Sequence, residues 1–203
     1  MSPRPRTTSD ATILAAVMRV ISQIGPTKMT LADVAEQAGH SPAGLVQRFG
    51  SKRGLLLAMA RHNAAEVPGR FAAARARHES PLDALFETLA DFTAHAATPE
   101  ALSHHMAFGM MDLDDAEFHR CAFEAARGML DEIRLGLDDA VRDGELAPCD
   151  TEGLARTVQT AYNGALATWA VYRQGSLDEW LRGEIEAVME PYLPPLEQDA
   201  DEG

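Results

Sequence analysis

Gln47, Arg48 and Lys52 place an amide, a guanidinium and an ammonium close together in the chain. An amide can make two hydrogen bonds to adenine in a DNA major groove, and a guanidinium can do the same to guanine. An ammonium near a helix start suits a phosphate. Such groups read bases only if a rigid element holds them outward, so the elements around them decide the matter. The surrounding run, TLADVAEQAGHSPAGLVQRFGSKRGLL over residues 30–56, supplies them. Thr30 is a helix cap, with Asp33 three residues on as in a capping box. Leu31, Val34, Ala35 and Ala38 form an apolar stripe at helical spacing. Gly39 fits the position past a helix end, and Ser41 with Pro42 opens a second helix over 42–48. Leu45 and Phe49 point back to a core. Two short helices joined this tightly make a helix-turn-helix, whose second member lies in the major groove.

The outward positions of that second helix are Pro42, Ala43, Val46 and Gln47, with Arg48 at its end. Ala43 or Val46 can pack on a thymine methyl, and Gly44 lets the helix approach closely. Lys52 opens the next helix beside free backbone N–H groups.

At Thr30, Val34, Ala35, Gly39, Ser41, Leu45, Phe49, Ser51, Lys52, Leu55 and Leu56 the chain resembles the tetracycline-repressor (TetR) family of transcriptional regulators. The resemblance is specific over residues 9–66 and weaker beyond. A later stretch, Asn163 to Leu166 through Trp169 and then Tyr172 to Ser176, resembles the penultimate helix and exit turn of that family. It implies that Thr30 and Lys52 contact phosphate and that the protein is a dimer on a near-palindromic double-stranded operator, with Ser41, Pro42, Ala43, Gly44, Val46, Gln47 and Arg48 as the remaining DNA-facing residues. It further implies a small-molecule effector that binds the body and releases the head. Two positions depart from the family. Val46 stands where an aromatic, usually Tyr, is common, and Val cannot donate a hydrogen bond to a phosphate; His40 stands where a small apolar residue is common.

Charge is distributed in keeping with this. The net charge is −13, yet residues 1–62 carry eight Lys/Arg against three Asp/Glu. The remainder carries ten of the 18 Lys/Arg and twenty-eight of the 31 Asp/Glu. A basic head on an acidic body is expected. Arg4 and Arg6 suit an arm that touches phosphates or the minor groove. Cys121 and Cys149 make no disulfide framework, and the N-terminus lacks the apolar segment of a signal peptide, so a cytoplasmic location is expected. The uncharged run 157–172 is shorter than the roughly 20 apolar residues that span a bilayer, so no membrane is expected as a partner.

Helix-start signals recur along the chain: Ser41-Pro42, Ser80-Pro81, Thr98-Pro99, Asp150 and the Ser176–Glu179 capping box. They predict an all-α fold of about nine helices. The head, a helix-turn-helix DNA-binding domain, occupies residues 1–66, and an effector-binding and dimerisation domain residues 67–203. The first helix, over 9–24, is expected to bury Ile13, Leu14, Val17, Ile21 and Ile24. The fourth is expected to bend or break at Pro68-Gly69. The pairing surface is expected on the last two long helices, through Ala161, Ala165, Thr168 and Tyr172 and through Leu177, Trp180, Leu181, Ile185 and Val188. Candidate effector-lining residues are His104, His105, Phe108, Met111, Phe123, Tyr162 and Trp169, because a Met- and Phe-rich wall adapts to hydrophobic molecules.

The function these readings select is a transcriptional regulator, most simply a repressor released by a small hydrophobic ligand. The alternative is an all-α small-molecule-binding protein or enzyme in which the helix-turn-helix is only structural. That alternative lacks a catalytic set: there is no Glu-x-x-His pair, nucleophile elbow or glycine-rich phosphate loop. No catalytic residue, cofactor or metal site is expected. His119 and Cys121 point about 200° apart on a helix and cannot share an ion.

Overall fold

The computed structural model describes residues 9–96, 98–111 and 113–194; Arg4, Arg6 and the acidic C-terminal residues lie outside them. Among the described residues the protein is all-α. Its helices are α1 (Asp10–Lys28), α2 (Leu31–Ala38), α3 (Pro42–Phe49), α4 (Lys52–Arg75), α5 (Pro81–Asp91), α6 (Pro99–Gly109), α7 (Ala116–Arg142), α8 (Thr151–Tyr172) and α9 (Leu177–Met189). A short 3₁₀ turn, Glu190–Tyr192, follows α9.

The starts follow from capping chemistry. The side chains of Ser9, Thr30, Ser41, Ser80, Thr98, Asp150 and Ser176 each accept a backbone N–H of the first turn. Thr30 and Ser176 complete reciprocal boxes with Asp33 and Glu179. Each cap satisfies a donor that has no partner within its own helix, an effect typically worth about 1 kcal/mol.

Two compact units can be distinguished by packing. The first comprises Met1–Glu66 and Thr93–Ala126, the second Val67–Phe92 and Arg127–Gly203. Residues 93–126 thus cluster with residues 1–66 in one unit. In the first unit α1 packs on α2 and α6, and α2 on α3. Ile13, Val17, Ile21, Val34, Leu45 and Leu55 are fully buried there, joined by Phe108, Phe118 and Cys121. In the second unit α9 packs on α8 and on α5, over a core that includes Leu85, Leu89, Ile133, Leu137, Val158 and Ile185.

Two details differ from the expectation. Ile24 is exposed, because Gly25 leaves helical geometry at φ 80° and turns the chain before Pro26. α4 does not break at Pro68-Gly69 but continues to Arg75. Pro68 is exposed while Val67 and Phe71 are buried on either side of it; the apolar anchors hold the helix where the missing N–H alone would weaken it. Leu177, Leu181 and Ile185 of α9 are buried within the chain's own second unit and serve its core, while Trp180 and Val188 of the same stripe are half-buried. On α8, Gly164, Ala167, Thr168, Val171 and Tyr172 remain exposed, whereas Ala165 is buried.

Gly54 is constrained by a close approach within the chain. A Cβ there would lie 2.0 Å from the Phe49 carbonyl oxygen, a backbone atom that cannot swing aside. An isolated glycine in a helical run often marks such an approach. Gly54→Ala should therefore destabilise the protein by roughly 1–3 kcal/mol, as overpacking does, against the usual gain of about 1 kcal/mol for Gly→Ala within a helix. Urea unfolding of the two proteins decides between these signs.

Candidate nucleic-acid interface

The helix-turn-helix is built by local bonds around residues 30–44. The Thr30 Oγ1 accepts from the Asp33 N–H at 3.3 Å, and the Asp33 carboxylate accepts from the Thr30 N–H at 2.8 Å. Hydrogen bonds from the Thr30 hydroxyl and N–H hold the Asp33 carboxyl below its ordinary range. Gly39 closes α2 in the left-handed region at φ 61°, where a side chain would be strained. Its N–H satisfies carbonyls of the last turn. Ser41 then accepts the Gly44 N–H at 3.1 Å and starts α3.

His40 is part of the turn. Its Nδ1 accepts the Ser41 N–H at 2.9 Å, and its ring lies against Gly44. A Cβ at Gly44 would come within 2.2 Å of the imidazole. The missing side chain at Gly44 thus makes room for His40, a role within the protein where the sequence suggested close approach to DNA.

α3 has one inward and one outward face. Leu45 is fully buried and Phe49 half-buried. Pro42, Ala43 and Gln47 are exposed, and Val46 is 47% exposed. These four form a continuous stripe at i, i+1, i+4 and i+5, with Gln47 as its hydrogen-bonding member. Arg48 runs along the edge of the helix. Its Nε lies 2.6 Å from the Asp10 carboxylate of α1, and its guanidinium stands over the Phe49 ring. Lys52 donates to the Thr27 carbonyl at 2.7 Å, satisfying the C-terminal end of α1, and an ammonium has two further protons to offer. Exposed ion pairs such as Arg48–Asp10 contribute only about 0–1 kcal/mol, so a phosphate can compete for the guanidinium.

Arg53 is engaged differently. Its guanidinium bridges Asp115 at 2.5 Å and Glu117 at 3.1 Å and lies over the Phe118 ring. Arg61 adds a second bond to Glu117 at 2.9 Å. This cluster ties the start of α4 to the start of α7 within the first unit. Neither Asp10 nor this cluster is apparent from the sequence, because no periodicity links residues so far apart in the chain.

The candidate effector residues fall in separate units. In the first unit, His104 donates from Nδ1 to the Ser22 carbonyl at 3.1 Å, and His105 and Met111 are half-buried. Phe108 is core, whereas Phe123 is 62% exposed. In the second unit, Tyr162 and Trp169 are buried. Burial pushes the Tyr162 phenol well above its ordinary range, and the Trp169 indole N–H donates to the Gly175 carbonyl. A groove of about 660 Å³ in the second unit is lined instead by Leu82, Phe86, Met189, Asp83, Glu145 and their neighbours. Among the described residues no group of three or more His, Cys, Asp or Glu is placed to hold a metal. Among the same residues no helix is long and apolar enough to cross a membrane.

A capped helix-turn-helix with an outward second helix, on an otherwise helical chain, is the arrangement found in helix-turn-helix DNA-binding proteins. Residues 13–59 match the family model described as bacterial regulatory proteins, tetR family. That match takes in α2 and α3, so the likeness to TetR-family regulators is carried by the helix-turn-helix part of the chain. The chain is 33% identical over 97 residues to the HTH-type transcriptional regulator BetI of Brucella anthropi, a match covering 47% of this chain and 50% of that protein. The chain thus spans about half the length of that relative. It is 29% identical over 149 residues to the BetI regulator of Rhizobium meliloti, covering 70% of this chain and 73% of that one. Among solved structures, the transcriptional regulator FadR from Bacillus subtilis in complex with stearoyl-CoA shares the fold, with a TM-score of 0.69 at 15% identity. That match covers 89% of this chain and 98% of that one.

The Arg53 cluster carries a pH dependence. The hydrogen bond from Arg53 leads the causes that hold the Asp115 carboxyl below its ordinary value. Its stabilising contribution is complete above the unfolded value of about 3.9 and disappears as pH falls through the depressed folded one. Thermal unfolding should lose Tm more steeply below about pH 4 in the wild type than in Asp115→Asn. Parallel acid limbs would show that the pair contributes nothing to folding.

Proposed function

We propose that the protein is a dimeric repressor whose paired α3 helices read a near-palindromic operator and are released by a small hydrophobic ligand. The exposed stripe of α3, held outward by the buried Leu45 and the Ser41 cap, carries this reading. One such head covers little DNA, so selective binding calls for a symmetric pair on two half-sites a helical turn apart. The face left for pairing is the exposed side of α8, where Gly164, Ala167 and Thr168 permit close helix approach beside Val171 and Tyr172. Release by a ligand follows if that ligand binds one body conformation better than another. The stearoyl-CoA held by the FadR of similar fold supports an apolar effector.

Within this reading Gln47 addresses a base edge, with Ala43, Val46 and Pro42 packed beside it. Thr30, Arg48 and Lys52 set the helix against the phosphates, and Ser41 and Gly44 shape its start. His104, His105, Phe108, Met111, Phe123, Tyr162 and Trp169 stay candidates for the effector, with Phe123 the weakest because of its exposure.

Fluorescence anisotropy with the DNA upstream of the protein's own gene, against unrelated DNA at several salt concentrations, tests the proposal. Selective binding at two protomers per site is expected. Lys52→Ala should weaken binding to both DNAs and lower the salt slope by about one for each phosphate that Lys52 neutralises. An unchanged slope would confine Lys52 to its bond with Thr27.

A further inference from the structure

The outward face of α3 is unusually poor in polar groups for a base reader. Of its five exposed residues, Pro42, Ala43 and Val46 present only carbon to the outside, and Gln47 and Arg48 can hydrogen-bond. Gly50 ends the helix at φ 77°, so no further turn adds side chains to the face. Arg48 turns along the edge toward Asp10 and the Phe49 ring, away from the line of Ala43, Val46 and Gln47. Reading of guanine through O6 and N7 takes an arginine or lysine, and the one such residue exposed on α3, Arg48, is engaged at the helix edge by Asp10. The base-edge feature an aliphatic side chain can recognise in the major groove is the C5 methyl of thymine.

We infer that Val46, backed by Ala43, is a specificity-determining residue that reads thymine methyl groups, with Gln47 addressing adenine beside it. This inference rests on the DNA-reading function proposed above. It also gives a role to the departure at position 46: the branched carbon side chain that cannot donate to a phosphate is instead shaped to pack on a methyl. At 47% exposure, Val46 has free surface to bury on binding, while Leu45 and Phe49 anchor the helix so that this surface does not turn away. The contacted positions of each half-site should accordingly be A·T pairs.

Replacing thymine with deoxyuridine removes that methyl and nothing else, which makes the test direct. Duplexes bound by the full chain would first be selected from a random pool. Each thymine of the winning sequence would then be changed to deoxyuridine in turn, and affinity measured for wild type, Val46→Ala and Val46→Ile. One or two positions per half-site should lose about four-fold in wild-type affinity, the value of one buried CH₂-sized group. Val46→Ala should bind the thymine and uracil duplexes alike at one of those positions, and Val46→Ile should retain the difference. A selected operator with no uracil-sensitive position overturns the methyl reading and leaves the DNA-reading function standing. Sensitivity that persists unchanged in Val46→Ala also overturns it. If no sequence is enriched, the DNA-reading function falls and this inference falls with it.

Discussion

What α3 shows to the outside is fixed by what Leu45 does on the inside. In an eight-residue helix one fully buried side chain sets the rotation about the axis, and Leu45 sits at zero exposure in the same cluster as Val34, Ala35 and Leu55. Once it is seated, Ala43, Val46 and Gln47 can only point outward. The caps at Thr30 and Ser41 and the left-handed Gly39 then fix where the helix begins and how it enters from α2. A short helix has little stability of its own. Its orientation is accordingly a product of packing, and the outward stripe inherits its precision from the core of the first unit.

The electrostatics of that unit are less simple than the charge count. The basic surplus of residues 1–62 is partly answered inside the folded chain. Arg48 meets Asp10, and Arg53 and Arg61 meet Asp115 and Glu117, two carboxylates contributed by the acidic remainder. Exposed pairs of this kind can exchange partners at little cost. The Arg53 cluster nevertheless links the start of α4, which follows directly on the helix-turn-helix, to the start of α7. Movement of α7 would be felt first at Arg53.

Much of the architecture is legible because it is encoded locally. Capping residues, first-turn prolines and the positive-φ glycine announce themselves within four positions, and the helix starts fall where Thr30, Ser41, Ser80, Thr98 and Ser176 mark them. What the sequence conceals depends on residues distant in the chain or on how side chains turn. Nothing near Arg48 names Asp10, and nothing near Gly44 shows that its empty side faces the His40 ring. The apolar stripe of α9 is equally suited to a partner or to its own chain, and only packing shows that Leu177, Leu181 and Ile185 go to the latter. Pro68 reads as a terminator because its missing N–H weakens a helix locally; the burial of Val67 and Phe71 beside it outweighs that loss. The effector residues are the least legible, since Met, Phe and His serve a core as readily as a pocket.

If the protein acts as a symmetric pair, its two α3 helices enter successive major grooves on one side of the DNA. Hydroxyl-radical footprinting on a selected operator reads that arrangement out. Two equal protected patches are expected on one face of the duplex, centred about 10 base pairs apart or at a multiple of that spacing. Protection with no helical phase, or a single unpaired patch at saturating protein, would contradict a paired reader.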